Sequence, residues 1–206
     1  MLYRVFDGHC DTPVELWLQE KQLRSSDLAV SLDKAAGLGG YAQFFAFCTA
    51  WIETRMPHTE HFSRALDYFL AQLRKNEDRI TLCRTAPEAE AAMQAGKCAA
   101  FLAIEGAEAV REDEGLLELA YEAGVRMVSL VWNLPNGLSG SCQTGEGLTE
   151  KGKRFFRRAQ KLGMLVDVSH LSEKGFWDMA ELAEKPIVDS HTGSVAVCPH
   201  PRNLTH

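Results

Sequence analysis

One pattern recurs along the 206 residues: an apolar run, a polar end, then an amphipathic helix. The apolar runs cover 2–6, 42–48, 98–104, 125–131, 164–168 and 186–189, with a short extended piece at 80–83. The helices between them cover 59–76, 86–95, 114–123, 149–162 and 172–183. In the first of these, Phe62, Ala65, Leu66, Phe69, Leu70 and Leu73 share one face at helical spacing. Thr149 and Ser172 stand at cap positions, 31–34 resembles another helix start, and 37–41 reads as a glycine-rich turn. Strands alternating with helices build parallel βα units. Fully apolar strands require helices over the sheet. A complete (β/α)₈ barrel takes about 250 residues. Two α/β architectures therefore remain open: a doubly wound open sheet, or a (β/α)8 TIM-barrel type domain over 1–206 whose last strands are absent after about six. Both gather their polar strand ends at one face.

Composition narrows the function classes. The chain is 46% hydrophobic and 24% charged, ordinary for a soluble core. A net charge of −6 without a basic block argues against nucleic acid or an anionic membrane as partner. No apolar stretch is long enough to span a bilayer. The opening residues carry acid too early for a secretory signal. Cys10, Cys48, Cys83, Cys98, Cys142 and Cys198 are scattered without a Cys-x-x-Cys pair. The expectation is free, mostly buried thiols in a cytoplasmic protein.

The strand ends carry the chemistry. His9 and Asp11 follow the first run; two residues apart on a strand, they would share a face. Alone they read as loop residues, with Asp11 capping a helix. Glu105 ends the run near residue 100, and His170 and His191 end two later ones. In a parallel sheet these five meet. Three imidazoles and two carboxylates suit divalent metal ions, with a carboxylate able to bridge two. Such a site generates a bridging hydroxide near neutral pH and polarises a carbonyl. Asp167 and Asp189 precede ligand histidines and orient them or bond to neighbouring strands. Trp132 and Asn133 line the pocket or pack in the core. The stretch 136–147, rich in Gly and Ser, reads as a mobile loop over the site or a plain surface loop. His58, His61, His200 and His206 read as solvated. Cys10, by alternation, points away from the ligands.

As a set, Asp7-Gly8-His9-Cys10-Asp11-Thr12-Pro13, Ile104-Glu105-Gly106, Asp167-Val168-Ser169-His170-Leu171-Ser172, Asp189-Ser190-His191-Thr192 and Pro201-Arg202-Asn203-Leu204-Thr205 resemble the membrane (renal) dipeptidase family. These are zinc peptidases of the amidohydrolase superfamily of TIM barrels. The resemblance implies hydrolysis of the amide bond of dipeptides by a metal-bridged hydroxide. It implies two Zn2+ ions per chain, with Mn2+ or another divalent ion as substitutes. His9 and Asp11 would hold one, His170 and His191 the other, and Glu105 would bridge both and serve catalysis. Arg202 would bind the substrate carboxylate, since its planar fork suits bidentate pairing, with Trp132 and Asn133 beside the substrate.

Two departures stand out. Mammalian members carry a substrate-binding histidine after the fourth main strand, where this chain has Trp132. The family's last two strands, with an aspartate that handles the proton, would follow His206. The chain then reads as a fragment or as a truncated member with an open barrel. Two other readings follow: an amidohydrolase of amides, lactams or esters, or a metal-binding chain without turnover. An open barrel leaves strand edges and apolar faces uncovered, which predicts a homo-oligomer. Sedimentation at micromolar concentration is expected to show self-association; a monodisperse monomer with a cooperative melt would contradict it.

Overall fold

The computed structural model describes residues 3–52 and 55–205. Leu2 of the first expected strand and His206 lie outside them. The strands are β1 (Arg4–Cys10), β2 (Gly40–Cys48), β3 (Ile80–Leu82), β4 (Cys98–Glu105), β5 (Val125–Ser129) and β6 (Leu165–Asp167). The helices are α1 (Thr12–Leu18), α2 (Leu32–Ala35), α3 (His58–Lys75), α4 (Ala86–Gln94), α5 (Glu114–Ala123), α6 (Glu150–Leu162) and α7 (Glu173–Leu182). All strand pairs are parallel, in the order β1-β2-β4-β5-β6. The short β3 lies against Cys98–Ala100, the start of β4. Beyond β6 the expected strand at 186–189 shrinks to one parallel bridge, Asp167 with Val188. The expected turn at 37–41 gives way to β2 from Gly40 onward.

A contact between the sheet's two ends decides between an open sheet and a barrel. Five strand-to-strand steps separate β1 from Val188 along the sheet, roughly 24 Å if it lay flat. Yet a Cβ on Gly8 would stand 2.7 Å from the Ser190 carbonyl oxygen, and the His9 and His191 rings stack at 3.7 Å. The sheet therefore curls around as an open, partial (β/α) barrel.

Alternation along the strands builds two cores. Phe45 and Phe47 of β2, Leu102 and Ile104 of β4 and Val128 of β5 face outward, against Phe69 of α3, Leu117 of α5 and Phe155 and Phe156 of α6. Ala42, Phe44 and Ala46 of β2 with Ala99, Phe101 and Ala103 of β4 face inward. Every residue of β2 and β4 is buried, as strands covered on both faces require. Phe6 extends the inner stack edge-on to Phe44, yet is 67% exposed.

Hydroxyl and carboxylate caps fix the helix starts. The Thr149, Ser172, Asp113 and Thr85 side chains accept from backbone N–H groups three residues on. His61, expected in solvent, is buried on the inward face of α3 and packs against Trp17. Its spacing from Ala65 and Phe69 puts it on their stripe. The loop 136–147 also differs from expectation. Leu138, Ser139, Gly140 and Ser141 are buried, and the Asn136 side chain bonds Glu108, the Leu130 carbonyl and the Leu138 N–H.

Gly8→Ala drives a methyl into backbone that side-chain rotation cannot clear. A loss of about 1–3 kcal/mol is expected in denaturant unfolding. A stability equal to that of the parent would contradict the contact.

Candidate metal centre

The converging side chains come from four segment ends: His9 and Asp11 at β1, Glu105 at β4, His170 after β6, and His191 after the bridge at Val188. Near His9 the register slips: Asp7 pairs with Gln43 but Cys10 with Phe45, so β1 carries one extra residue. Such a bulge re-aims the side chains that follow. Phe6 faces inward, and plain alternation would send His9 outward. The extra residue turns His9 into the barrel and Cys10 into the outer core. Asp11 lies past the strand, at the N-cap of α1, and its side chain makes no cap bond. Instead Asp11 Oδ1 stands 3.6 Å from His9 Nε2. Thus a bulge and a helix start bring this pair together, where alternation along one strand was expected to.

Glu105 continues the inward parity of Ala99, Phe101 and Ala103 and is 4% exposed. Its Oε1 lies 2.8 Å from His170 Nε2 and 3.3 Å from His191 Nε2. Its Oε2 lies 3.4 Å from His9 Nε2. The two later imidazoles approach each other at 3.0 Å between Nε2 atoms. His170 sits in the left-handed region at φ 69°, a strain of about 1–3 kcal/mol for a non-glycine residue. That conformation swings the ring back over the barrel mouth, where Asn133 Oδ1 meets His170 Nδ1 at 2.9 Å.

Charge organises the cluster. Burial alone would raise the Glu105 carboxyl, but His170, His191 and His9 outweigh it and hold it far below the usual carboxylate range. Burial works against a charge on His9, yet Asp11 and Glu105 raise that imidazole from 6.5 to about 10. Burial wins at His170 and lowers it despite Glu105. Cys48, paired across the sheet with Glu105, has its thiol pushed up by burial and by that carboxylate, which leaves it protonated.

The donor set fits a divalent ion. Atoms bound to one ion at about 2.0–2.2 Å stand roughly 3 Å apart, close to the separations among Glu105 Oε1, His170 Nε2 and His191 Nε2. His9, Glu105 and His191 also offer ligand atoms within 4.8 Å of one another. Arg202 is aimed by two of its own chain's oxygens, the Thr192 hydroxyl and the His191 carbonyl. It borders a cavity of about 360 Å³ that also meets His170, Cys142, Phe176 and Trp177. The Trp132 ring is half-buried, its centroid 6.3 Å from that of His170.

Sequence reading missed two contacts. Ser190 Oγ stands 2.7 Å from His191 Nδ1, and Asn133 reaches His170 rather than standing free in the pocket. A short polar side chain beside each ligand was the only signal. Asp167, left open between two roles, accepts from the Ser169 and Ser190 N–H groups and from the Ser190 hydroxyl. Asp189 accepts from the Ser169 hydroxyl.

A partial barrel with imidazoles and carboxylates gathered at its C-terminal mouth defines a metal-dependent hydrolase of the TIM-barrel kind. Residues 2–206 match the membrane dipeptidase family, peptidase family M19, and the chain belongs to that family of metallopeptidases. An uncharacterised protein encoded in the PQQ-III 3' region of Acinetobacter calcoaceticus is 32% identical over 237 residues, covering 98% of this chain and 74% of that protein. Dipeptidase tcpJ of Claviceps purpurea is 31% identical over 132 residues, which are 62% of this chain and 31% of the enzyme. Among solved structures, a metallopeptidase from Rhodobacter sphaeroides, liganded with a phosphinate mimic of the dipeptide L-Ala-D-Ala, superposes with a TM-score of 0.86 at 29% identity. That match covers 99% of this chain and 69% of the other. The M19 dipeptidase AC gives 0.84 at 30% identity, over 99% and 67% of the two chains.

A metal ion held by His9 would need that imidazole neutral, whereas the metal-free site protonates it up to about pH 10. Such binding would displace a proton. Affinity is expected to rise about tenfold per pH unit up to about pH 10. Calorimetry in buffers of different ionisation enthalpy checks the proton release; a pH-independent affinity would contradict it.

Proposed function

We propose that the chain is a zinc-dependent dipeptidase with a binuclear site, His9 and Asp11 on one side, His170 and His191 on the other, and Glu105 bridging. One observation carries this reading. The two Glu105 oxygens divide between His9 and the His170–His191 pair, as a bridging carboxylate requires. Nitrogen and oxygen donors suit zinc, with manganese as the nearest substitute. When bound, such ions activate water near neutral pH and polarise a scissile carbonyl. The chain's own groups do the rest. Glu105 and Asp11 supply negative charge, and the three imidazoles fix the ligand positions. Arg202 has guanidinium donors left after Thr192 and His191. They bind the free carboxylate of a dipeptide, and Trp132 flanks it. The phosphinate dipeptide mimic in the Rhodobacter sphaeroides relative supports this substrate class.

The six cysteines are free thiols, which supports a reducing, cytoplasmic setting. No helix among the described residues is long and apolar enough to cross a membrane. The uncovered Phe6 beside Phe44 supports self-association as a homo-oligomer.

Elemental analysis with a hydrolysis panel of dipeptides, esters and lactams tests the function. Zinc-dependent cleavage of dipeptides is expected. Glu105→Gln should reduce it by more than the roughly 100-fold typical of outer-shell changes, and His170→Ala should lose metal. Metal binding without turnover would contradict the enzymatic reading, and full metal content in His170→Ala would contradict the two-metal assignment.

A further inference from the structure

The least expected polar contacts lie behind the metal site, between the two turns that carry His170 and His191. Asp167 is 3% exposed. Its Oδ1 accepts from the Ser169 N–H at 3.0 Å and the Ser190 N–H at 3.1 Å. Its Oδ2 accepts from the Ser190 hydroxyl at 2.5 Å. Ser190 Oγ in turn stands 2.7 Å from His191 Nδ1. A serine hydroxyl holds one proton, and a carboxylate holds none to give. Two oxygens 2.5 Å apart need a proton between them, and only Ser190 can supply it. Ser190 then has no proton for His191, so the imidazole must donate through Nδ1–H. The lone pair is left on Nε2, the atom that faces Glu105 at 3.3 Å.

We propose that Asp167 and Ser190 are positioning residues that lock His191 in its Nδ1–H tautomer and so commit Nε2 to metal. Its metal half rests on the binuclear reading above; its tautomer half does not. Asn133 does the matching work at His170, where an amide oxygen 2.9 Å from Nδ1 accepts directly. The two ligands on one side of Glu105 are thus fixed by different devices. Asp167 does more than Asn133, because its bonds to Ser169 and Ser190 tie both ligand turns together.

Replacing the carboxylate by its amide reverses the relay. In Asp167→Asn the Nδ2 group donates to Ser190, the hydroxyl turns and donates to His191 Nδ1, and Nε2 becomes protonated. The same wrong-tautomer effect follows when the carboxylate behind a catalytic histidine is made an amide in serine proteases. Imidazole nitrogen shifts in long-range proton–nitrogen NMR of the metal-free protein read the tautomer directly. The parent is expected to show Nδ1–H at His191, and Asp167→Asn to show Nε2–H. Zinc affinity, by chelator competition, should fall about 10–100-fold in Asp167→Asn and in Ser190→Ala, and Ser190→Thr should restore it. A purely structural role would lower the melting temperature without inverting the tautomer. An Nδ1–H His191 in Asp167→Asn would overturn the proposal. If that variant does not fold, parent-like zinc affinity in Ser190→Ala overturns it. A parent that shows Nδ1–H, inverted in Asp167→Asn, but binds no zinc upholds the relay and overturns the binuclear reading alone.

Discussion

A buried carboxylate ringed by three imidazoles is what the rest of the fold is arranged around. Taking Glu105 out of water costs several kcal/mol unless its charge is met. Here one oxygen faces the His9 imidazole and the other faces the His170 and His191 Nε2 atoms. Without a metal, a proton on His9 balances part of that charge. On the proposed binuclear reading a divalent ion would do the same with more charge and displace the proton, which would link fold stability to metal loading.

Local backbone departures put the ligands there. A bulge reverses the parity of β1 and turns His9 inward. Gly8 lets the last segment come close enough for His191 to stack on His9. A left-handed residue brings His170 over the barrel mouth. Each costs regularity or strain, and each sits beside a ligand. The strands supply the frame, and their irregular ends supply the aim.

The alternation of apolar runs and helices made the parallel α/β fold legible, and the strand-end residues marked the site. Less was legible wherever a tertiary contact decides. The family resemblance already pointed to the barrel, but strand counting left an open sheet as an equal alternative, because only Gly8 meeting Ser190 decides it. The bulge was hidden because a one-residue slip leaves no mark in composition. His61 was misplaced by its polarity, although its helical spacing from Ala65 and Phe69 already put it on the buried stripe. The loop 136–147 looked open from its glycines and serines, but the Asn136 side chain pins it through four hydrogen bonds. Ser190 carried no motif of its own; only the short bridge from Asp167 to His191 gives it a role.

The central claim is that Glu105 divides two metal positions. Anomalous X-ray diffraction at the zinc edge, on crystals of the zinc-loaded protein, addresses it most directly. Two peaks are predicted on opposite sides of Glu105, one against His9 and Asp11 and the other against His170 and His191. A single peak, or peaks that Glu105 does not touch, would contradict it.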